Sequence, residues 1–311
     1  MSKRSLRDFG LILLKGMGMG AADVVPGVSG GTIAFITGIY EELIHSIKSI
    51  DVKAVKLFFT GKWASFWEHV NGTFLLSVFL GIFISVVSLA KLLEFLLENH
   101  PVLIWSFFFG LILISSYTVA RRIKNWSYPV LVALVSGVGA AFYITSVSPA
   151  ETSDASWFIV FSGILASCAM ILPGISGSFI LLLLGKYTFA LNAVNTFDIK
   201  GLFLLALGAA IGLLSLSRLL SWLFKKYHDI TVAVLAGFMI GSLNKIWPWK
   251  EVVQSIVVDG HEKALIEKNI LPSIANPDDQ LLWAILLMLA GIGLILAFEF
   301  LFKKKESQVD G

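Results

Sequence analysis

The sequence predicts an all-α polytopic membrane protein made of two inverted structural repeats, each one re-entrant helical hairpin plus three transmembrane helices. Three observations predict it. Of the 311 residues 57% are hydrophobic and only 14% charged, with a mean hydropathy of +0.84, whereas a soluble domain of this length needs more polar surface. Several apolar stretches run to about 20 residues, enough to cross a hydrocarbon layer about 30 Å thick. Finally, Pro26-Gly27-Val28-Ser29-Gly30 recurs as Pro173-Gly174-Ile175-Ser176-Gly177, 147 residues later.

The repeat extends beyond the pentapeptide. In the same register Gly16 matches Gly163, Ala22 matches Ala169, Gly38 matches Gly185 and Tyr40 matches Tyr187. At an offset of 127, Lys91-Leu92-Leu93 lies against Arg218-Leu219-Leu220, Gly110 against Gly237 and Ser115 against Ser242. Matches on both sides of the motif point to duplication. The first repeat is assigned to residues 1–148 and the second to 149–311.

Taken in order, residues 6–47 are too long for one span, and the Pro26-Gly27 and Gly30-Gly31 pairs break a helix near the middle. Two arms of roughly 15–18 residues fall short of full crossings. Residues 6–47 and 157–194 therefore read as re-entrant hairpins, each entering and leaving on one face. Residues 49–71, with Phe58, Phe59, Trp63, Phe66 and Trp67 among lysines, suit an amphipathic segment on the inner surface. Three spans follow in each half, around Phe74–Leu97, Val102–Ala120 and Pro129–Thr145, then Leu202–Phe224, a span before the loop, and Leu281–Phe302. Residues 245–280 form an exterior loop of mixed charge, with Trp247 and Trp249 at the interface.

An odd number of crossings per half inverts the second copy. With the N-terminus inside, fifteen basic residues fall on the cytoplasmic side: Lys3, Arg4, Arg7, Lys48, Lys53, Lys56, Lys62, Arg121, Arg122, Lys124, Lys225, Lys226 and Lys303 to Lys305. Six fall outside: Lys186, Lys200, Lys245, Lys250, Lys263 and Lys268. Glu151, Asp154 and the Asp278-Asp279 pair fall outside as well. This is the positive-inside bias, and it places both termini in the cytoplasm. Met17–Asp23 offers no cleavage site of the signal-peptide kind. Cys168 is the only cysteine, so neither an intrachain disulfide nor a thiolate metal site is expected. The five histidines show no ligand spacing, and no cofactor is expected. Basic residues in short clusters between spans match no nucleic-acid module.

The candidate chemistry lies at the two breaks. Gly27, Gly30 and Gly31 let backbone amides approach a ligand, and Ser29 and Thr32 add hydroxyls. The following helix directs its positive end at the break. Gly174, Ser176, Gly177 and Ser178 repeat the arrangement, with Pro26 and Pro173 setting the breaks. The bland alternative is a kink whose packing simply demands small residues. A charge at the bilayer centre costs about 2.5–3.5 kcal/mol on insertion scales, which singles out Asp23, Lys91 and Arg218. Lys91 and Arg218 occupy matching positions and suit a phosphate met by two cations; snorkelling, or pairing of Lys91 with Glu94, is the plain reading. Asp23, whose counterpart is Met170, and Glu41 are the candidates for proton coupling.

Gly20 to Thr32, Leu172 to Ser178, Ser217-Arg218-Leu219-Leu220-Ser221-Trp222, Lys226-Tyr227-His228-Asp229 and Gly241-Ser242-Leu243 together resemble the PopT-type undecaprenyl-phosphate translocases. The similarity covers nearly the whole chain and departs from the family pattern at Lys186 and Thr188, which flank Tyr187. The resemblance implies a flippase of the bacterial cytoplasmic membrane that returns undecaprenyl phosphate to the cytoplasm for cell-envelope synthesis. It implies no enzymatic activity. The expected partners are that lipid and the bilayer, with a homodimer as a further option and no nucleic acid. A membrane-embedded polyprenyl-pyrophosphate phosphatase and a small-anion transporter are the alternatives. The first is disfavoured because Gly30 and Gly177 stand where an arginine would be needed.

Overall fold

The computed structural model describes residues 5–25, 28–150, 152–258, 261–273 and 280–306. Lys3, Arg4, Pro26, Gly27, Glu151, Asp278 and Asp279 lie outside them, as do the side chains of Glu94, Lys263 and Lys303 to Lys305. The chain begins with α1 (Leu6–Val24), α2 (Gly30–Ile36) and α3 (Tyr40–Lys48). Two short helices follow, α4 (Val52–Phe59) and α5 (Trp63–His69), then α6 (Gly72–Asn99), α7 (Pro101–Ala120) and α8 (Tyr128–Ser146). The second half repeats the order with α9 (Ser156–Ile171), α10 (Gly177–Leu183), α11 (Tyr187–Asn195), α12 (Ile199–Lys226) and α13 (His228–Ser242). A hairpin of β1 (Lys250–Val258) and β2 (His261–Asn269) precedes α14 (Leu281–Glu306).

Within the described residues, α6, α7, α8 and α12 are long and apolar enough to cross a membrane. At 1.5 Å per residue the seven residues of α2 or α10 extend only about 10 Å, well short of a crossing. The second arm of each expected hairpin is two helices rather than one, and α10 and α11 meet at 111°. The cause is a shared C-cap. Gly38 and Gly185 adopt φ of +75° and +62°. The amide of the next residue reaches back to a carbonyl five residues earlier, Ile39 to Ala34 and Lys186 to Leu181. That is the Schellman pattern, which ends a helix and redirects the chain.

Local signals set the other boundaries. Ser5 caps α1 in a reciprocal box with Asp8, Asp51 accepts from the Ala54 amide at the start of α4, and Pro101 opens α7. The α4–α5 segment leaves Val52, Phe59, Trp63 and Trp67 exposed, the apolar face that an interfacial helix inserts into a headgroup layer.

Packing reproduces the duplication. α1 packs on α6 and α9 on α12; α7 packs on α14 and α8 on α13. The contacts are glycine against backbone. Gly16 abuts the Val78 carbonyl and Gly163 that of Leu205, while Gly81 abuts Leu13 and Gly208 abuts Val160. These are the same contacts at offsets of 147 and 127. Likewise Gly110 meets Met288 as Gly237 meets Leu134, and Gly291 meets Phe107 as Gly137 meets Val234. No side chain fits at these positions, so close approach of the backbones requires glycine.

Polar residues gather on two faces. On one, Lys48 donates to Ser221 at 3.0 Å, and the Lys124 and Asn125 amides donate to Asp229. On the other, Lys250 lies 4.3 Å from the Trp105 ring centre, and Lys186, only 2% exposed, holds Asp154 at 2.7 Å. α7 runs from Trp105 on the second face to Arg121 on the first. Its counterpart α13 runs from Asp229 on the first towards Lys245 on the second, so matched helices point in opposite directions. Residues 245–280, read from sequence as a loop, contain an antiparallel hairpin pairing Lys250 with Asn269 and Val258 with His261.

Candidate functional site

The two breaks touch. Ser29 caps α2, its Oγ accepting from the Gly31 amide at 3.1 Å and donating to the Met170 carbonyl at 3.1 Å. Thr32 Oγ1 accepts from the Gly174 amide at 2.9 Å. Gly31 sits against the Ile171 carbonyl. Gly174, at φ +90°, lies so close to Phe238 and Ser242 that a side chain there would strike both. Ser29 and Thr32 are fully buried, and buried hydroxyls of this kind are expected to be paired. Each has a partner across the break contact, in the other repeat.

The N-terminal end of α2 is filled by the protein itself. Asp23, the last-turn carboxylate of α1, accepts from the Gly30 amide at 2.7 Å. A carboxylate opposite the positive end of a helix is the favourable arrangement. The second break has Met170 at the matching position, and the start of α10 opens instead on a cavity of about 420 Å³. Asp23, Ser167, Ser176, Gly177 and Ser178 line it, the Ser176 and Ser178 hydroxyls sharing one bond of 2.7 Å. Asp23 thus stands between the two breaks.

A larger cavity of about 540 Å³ lies between α1, α2, α7 and α14. Its wall is apolar, with Leu14, Ile33, Ile36, Phe107, Phe108, Leu111, Leu294 and Ile295, and it carries Lys15, Arg121, Arg122 and Glu299. Lys15 Nζ donates to the Thr37 carbonyl at 2.7 Å, and the Arg122 guanidinium lies 5.3 Å from the Phe35 ring centre. Thr118 Oγ1 reaches Glu299 at 3.5 Å. Cations beside a long apolar wall are what an amphiphile with an anionic head requires.

Of the residues singled out in the sequence, the structure brings Asp23, Ser29, Gly30, Gly31, Thr32, Gly174, Ser176, Gly177 and Ser178 into one region, with Pro173 buried beside them. Lys91 and Arg218 are exposed on α6 and α12 and line neither of these two cavities. Glu41 is exposed, 3.9 Å from His228 Nε2. Lys15 was overlooked, although a lysine inside an apolar hairpin arm is itself a signal. Arg121 and Arg122 were legible only as topology markers. Among the described residues, no group of three or more His, Cys, Asp or Glu is placed to hold a metal ion.

The family model described as undecaprenyl phosphate translocase-like matches residues 19–264. A protein of Vibrio cholerae serotype O1 named polyprenyl-phosphate transporter is 47% identical over 291 residues, covering 92% of this chain and 94% of that protein. A Staphylococcus aureus protein of the same name is 34% identical over 259 residues, covering 76% and 85%. No solved structure matches the chain.

Proposed function

The chain belongs to the undecaprenyl phosphate translocase-like family, and on that premise we propose that it carries undecaprenyl phosphate across the bacterial cytoplasmic membrane, as a transporter rather than an enzyme. The observation that carries this reading furthest is the cavity of about 540 Å³, apolar along its wall and furnished with Lys15, Arg121 and Arg122. A polyprenyl tail can stay in lipid throughout. The phosphate cannot, because an unpaired charge in hydrocarbon is prohibitively expensive. The transporter therefore has only to shelter the headgroup.

In this reading the arginine-bearing face is cytoplasmic, with both termini on that side. The headgroup occupies the arginine cavity when the molecule is open inward and the Ser176–Ser178 cavity when it is open outward. The contact of Ser29 with Met170 and of Thr32 with Gly174 is the barrier between them. Rocking one inverted repeat against the other opens it, the usual logic of transporters with broken helices at a repeat interface. Once the barrier opens, Ser29, Thr32 and the amides of Gly30 and Gly31 join Ser176, Gly177 and Ser178 around the phosphate. Asp23, between the two cavities, is the group placed to exchange a proton with the passing phosphate; Glu41, beside His228, belongs to the mouth. Lys91 and Arg218, exposed on α6 and α12, meet the headgroup as the lipid enters from the side.

Proteoliposomes carrying a fluorescent short-chain polyprenyl phosphate test this. Wild-type protein should expose outer-leaflet probe to the lumen, and the Arg121→Gln/Arg122→Gln variant should do so at least about tenfold more slowly, the scale of one lost charge-assisted bond. Equal rates for a neutral polyprenol would overturn the phosphate assignment. Release of phosphate from a polyprenyl pyrophosphate would overturn the transporter reading.

A further inference from the structure

On the face opposite the arginines, the β-hairpin roofs a third cavity of about 250 Å³. Three lysines line it, Lys245, Lys250 and Lys268, against one carboxylate, Glu267. Lys245 and Lys250 both bond the same oxygen of Glu267, at 2.9 and 3.1 Å. Neither ammonium is well exposed: Lys250 is 7% accessible and Lys245 19%. Lys250 lies on the Trp105 ring and Lys245 within 5.2 Å of the Phe179 ring centre. Each ammonium has three donors, and one shared carboxylate oxygen takes one from each.

Burying two cations against a single anion is costly unless further negative charge completes the set. The roof is anchored, since Asn269 Nδ2 donates to both the backbone and side-chain oxygens of Asn244 at 2.9 Å and Trp247 Nε1 to the Ile270 carbonyl. The lysines are therefore held in position by the fold. The rest of the lining mixes apolar side chains with Thr145, Ser146, Ser148, Asn244 and Asn269, whose polar groups suit phosphate oxygens. The volume is below the roughly 300–1,000 Å³ of pockets that enclose whole drug-sized ligands; it suits a headgroup and excludes a polyprenyl chain.

We propose that this cavity is a phosphate-monoester binding site on the exterior face, where the headgroup is held by Lys245, Lys250 and Lys268 before it moves to the breaks. The proposal rests on the transport reading for its place in the sequence of events, but the site itself is an equilibrium property. Glu267 holds the two buried lysines in register while the site is empty and yields donors to the phosphate when it fills. Its carboxylate competes with the ligand.

The test is equilibrium titration of the full-length protein in lipid nanodiscs with geranyl phosphate and, separately, inorganic phosphate. The Arg121→Gln/Arg122→Gln background silences the opposite cavity. In that background Lys245→Gln/Lys250→Gln should weaken binding by about tenfold or more, and Glu267→Gln should tighten it several-fold. A purely structural ion triad predicts the reverse for Glu267→Gln, so that variant decides even if the double lysine variant folds poorly. Binding of geranyl phosphate alone identifies a lipid headgroup as the ligand, and equal binding of inorganic phosphate identifies free phosphate; both support the anion site. Unchanged affinity in folded lysine variants, or weaker binding in Glu267→Gln, overturns it. Lysine-dependent binding in a protein that moves no lipid would leave the site standing and remove the transport reading.

Discussion

The two helix breaks share a sequence and differ in what they face. Both run Pro-Gly-aliphatic-Ser-Gly, both open a seven-residue helix, and both end that helix at a glycine of positive φ. The first is sealed: Asp23 takes the Gly30 amide, Ser29 takes that of Gly31, and Thr32 is bonded to Gly174. The second leaves Ser176, Gly177 and Ser178 lining open space. The difference traces to three positions in the repeat, Asp23 against Met170, Gly31 against Ser178 and Thr32 against Phe179. The repeat thus carries two turns of like sequence, and in the proposed transport reading the headgroup has one open turn to occupy and one to displace.

The strongest way to break this comparison is to erase the carboxylate. Asp23→Ala should reduce lipid transport by about one to two orders of magnitude, the worth of a charge-assisted hydrogen bond at about 1.5–3 kcal/mol. Asp23→Asn keeps an acceptor for the Gly30 amide and removes the charge. Asparagine behaving like alanine in the reconstituted assay assigns the effect to charge, and asparagine behaving like wild type assigns it to the cap. Met170→Asp should be almost as damaging, because it places an anion where the phosphate is to sit.

Stability should separate the breaks next. Thr32→Val leaves the buried Gly174 amide without its acceptor and should cost about 1–3 kcal/mol in a denaturant titration in micelles. Ser178→Ala, whose hydroxyl pairs with Ser176 at a cavity wall, should stay within about 0.5 kcal/mol.

The smallest effect contrasts the two faces by pH. Burial pulls the Lys250 ammonium down to about 8, against the attraction of Glu267 and with a further push from Lys245. Burial pushes the Glu267 carboxyl up, but the two lysines outweigh it and hold it below the usual carboxylate value. The protonated lysine is the anion-binding form, so phosphate binding beneath the β-hairpin should fall as pH rises through about 8, several-fold between pH 7 and 9. Guanidinium groups keep their charge across that range, so binding in the arginine cavity should not fall. Titrating each cavity with the other neutralised reads the two profiles separately.

Much of the fold was legible because duplication leaves a register. The offsets that align Gly16 with Gly163 and Gly110 with Gly237 also align their backbone contacts. The relation of α8 to α14 was not legible, since no shared motif marks it and it emerges only from what Gly137 and Gly291 touch. The β-hairpin was missed because its charged and apolar residues alternate imperfectly, with a bulge between Val252 and Ser255. The breaks were legible as turns that interrupt a helix. Their mutual contact was not, because it joins residues some 140 positions apart, a pairing no local pattern encodes. Lys186 departed from the family pattern, and its burial against Asp154 and the Thr152 carbonyl gives the departure a structural role.

In the proposed transport cycle the contact between the breaks is the barrier the headgroup must open. Hydrogen–deuterium exchange of the peptide containing the Gly174 amide tests it directly, in nanodiscs with a short-chain polyprenyl phosphate or the corresponding polyprenol. Faster exchange with the phosphate alone is the predicted result, since its passage breaks the bond from Gly174 to Thr32. Identical exchange with both lipids, in protein shown to transport the phosphate, would contradict the account.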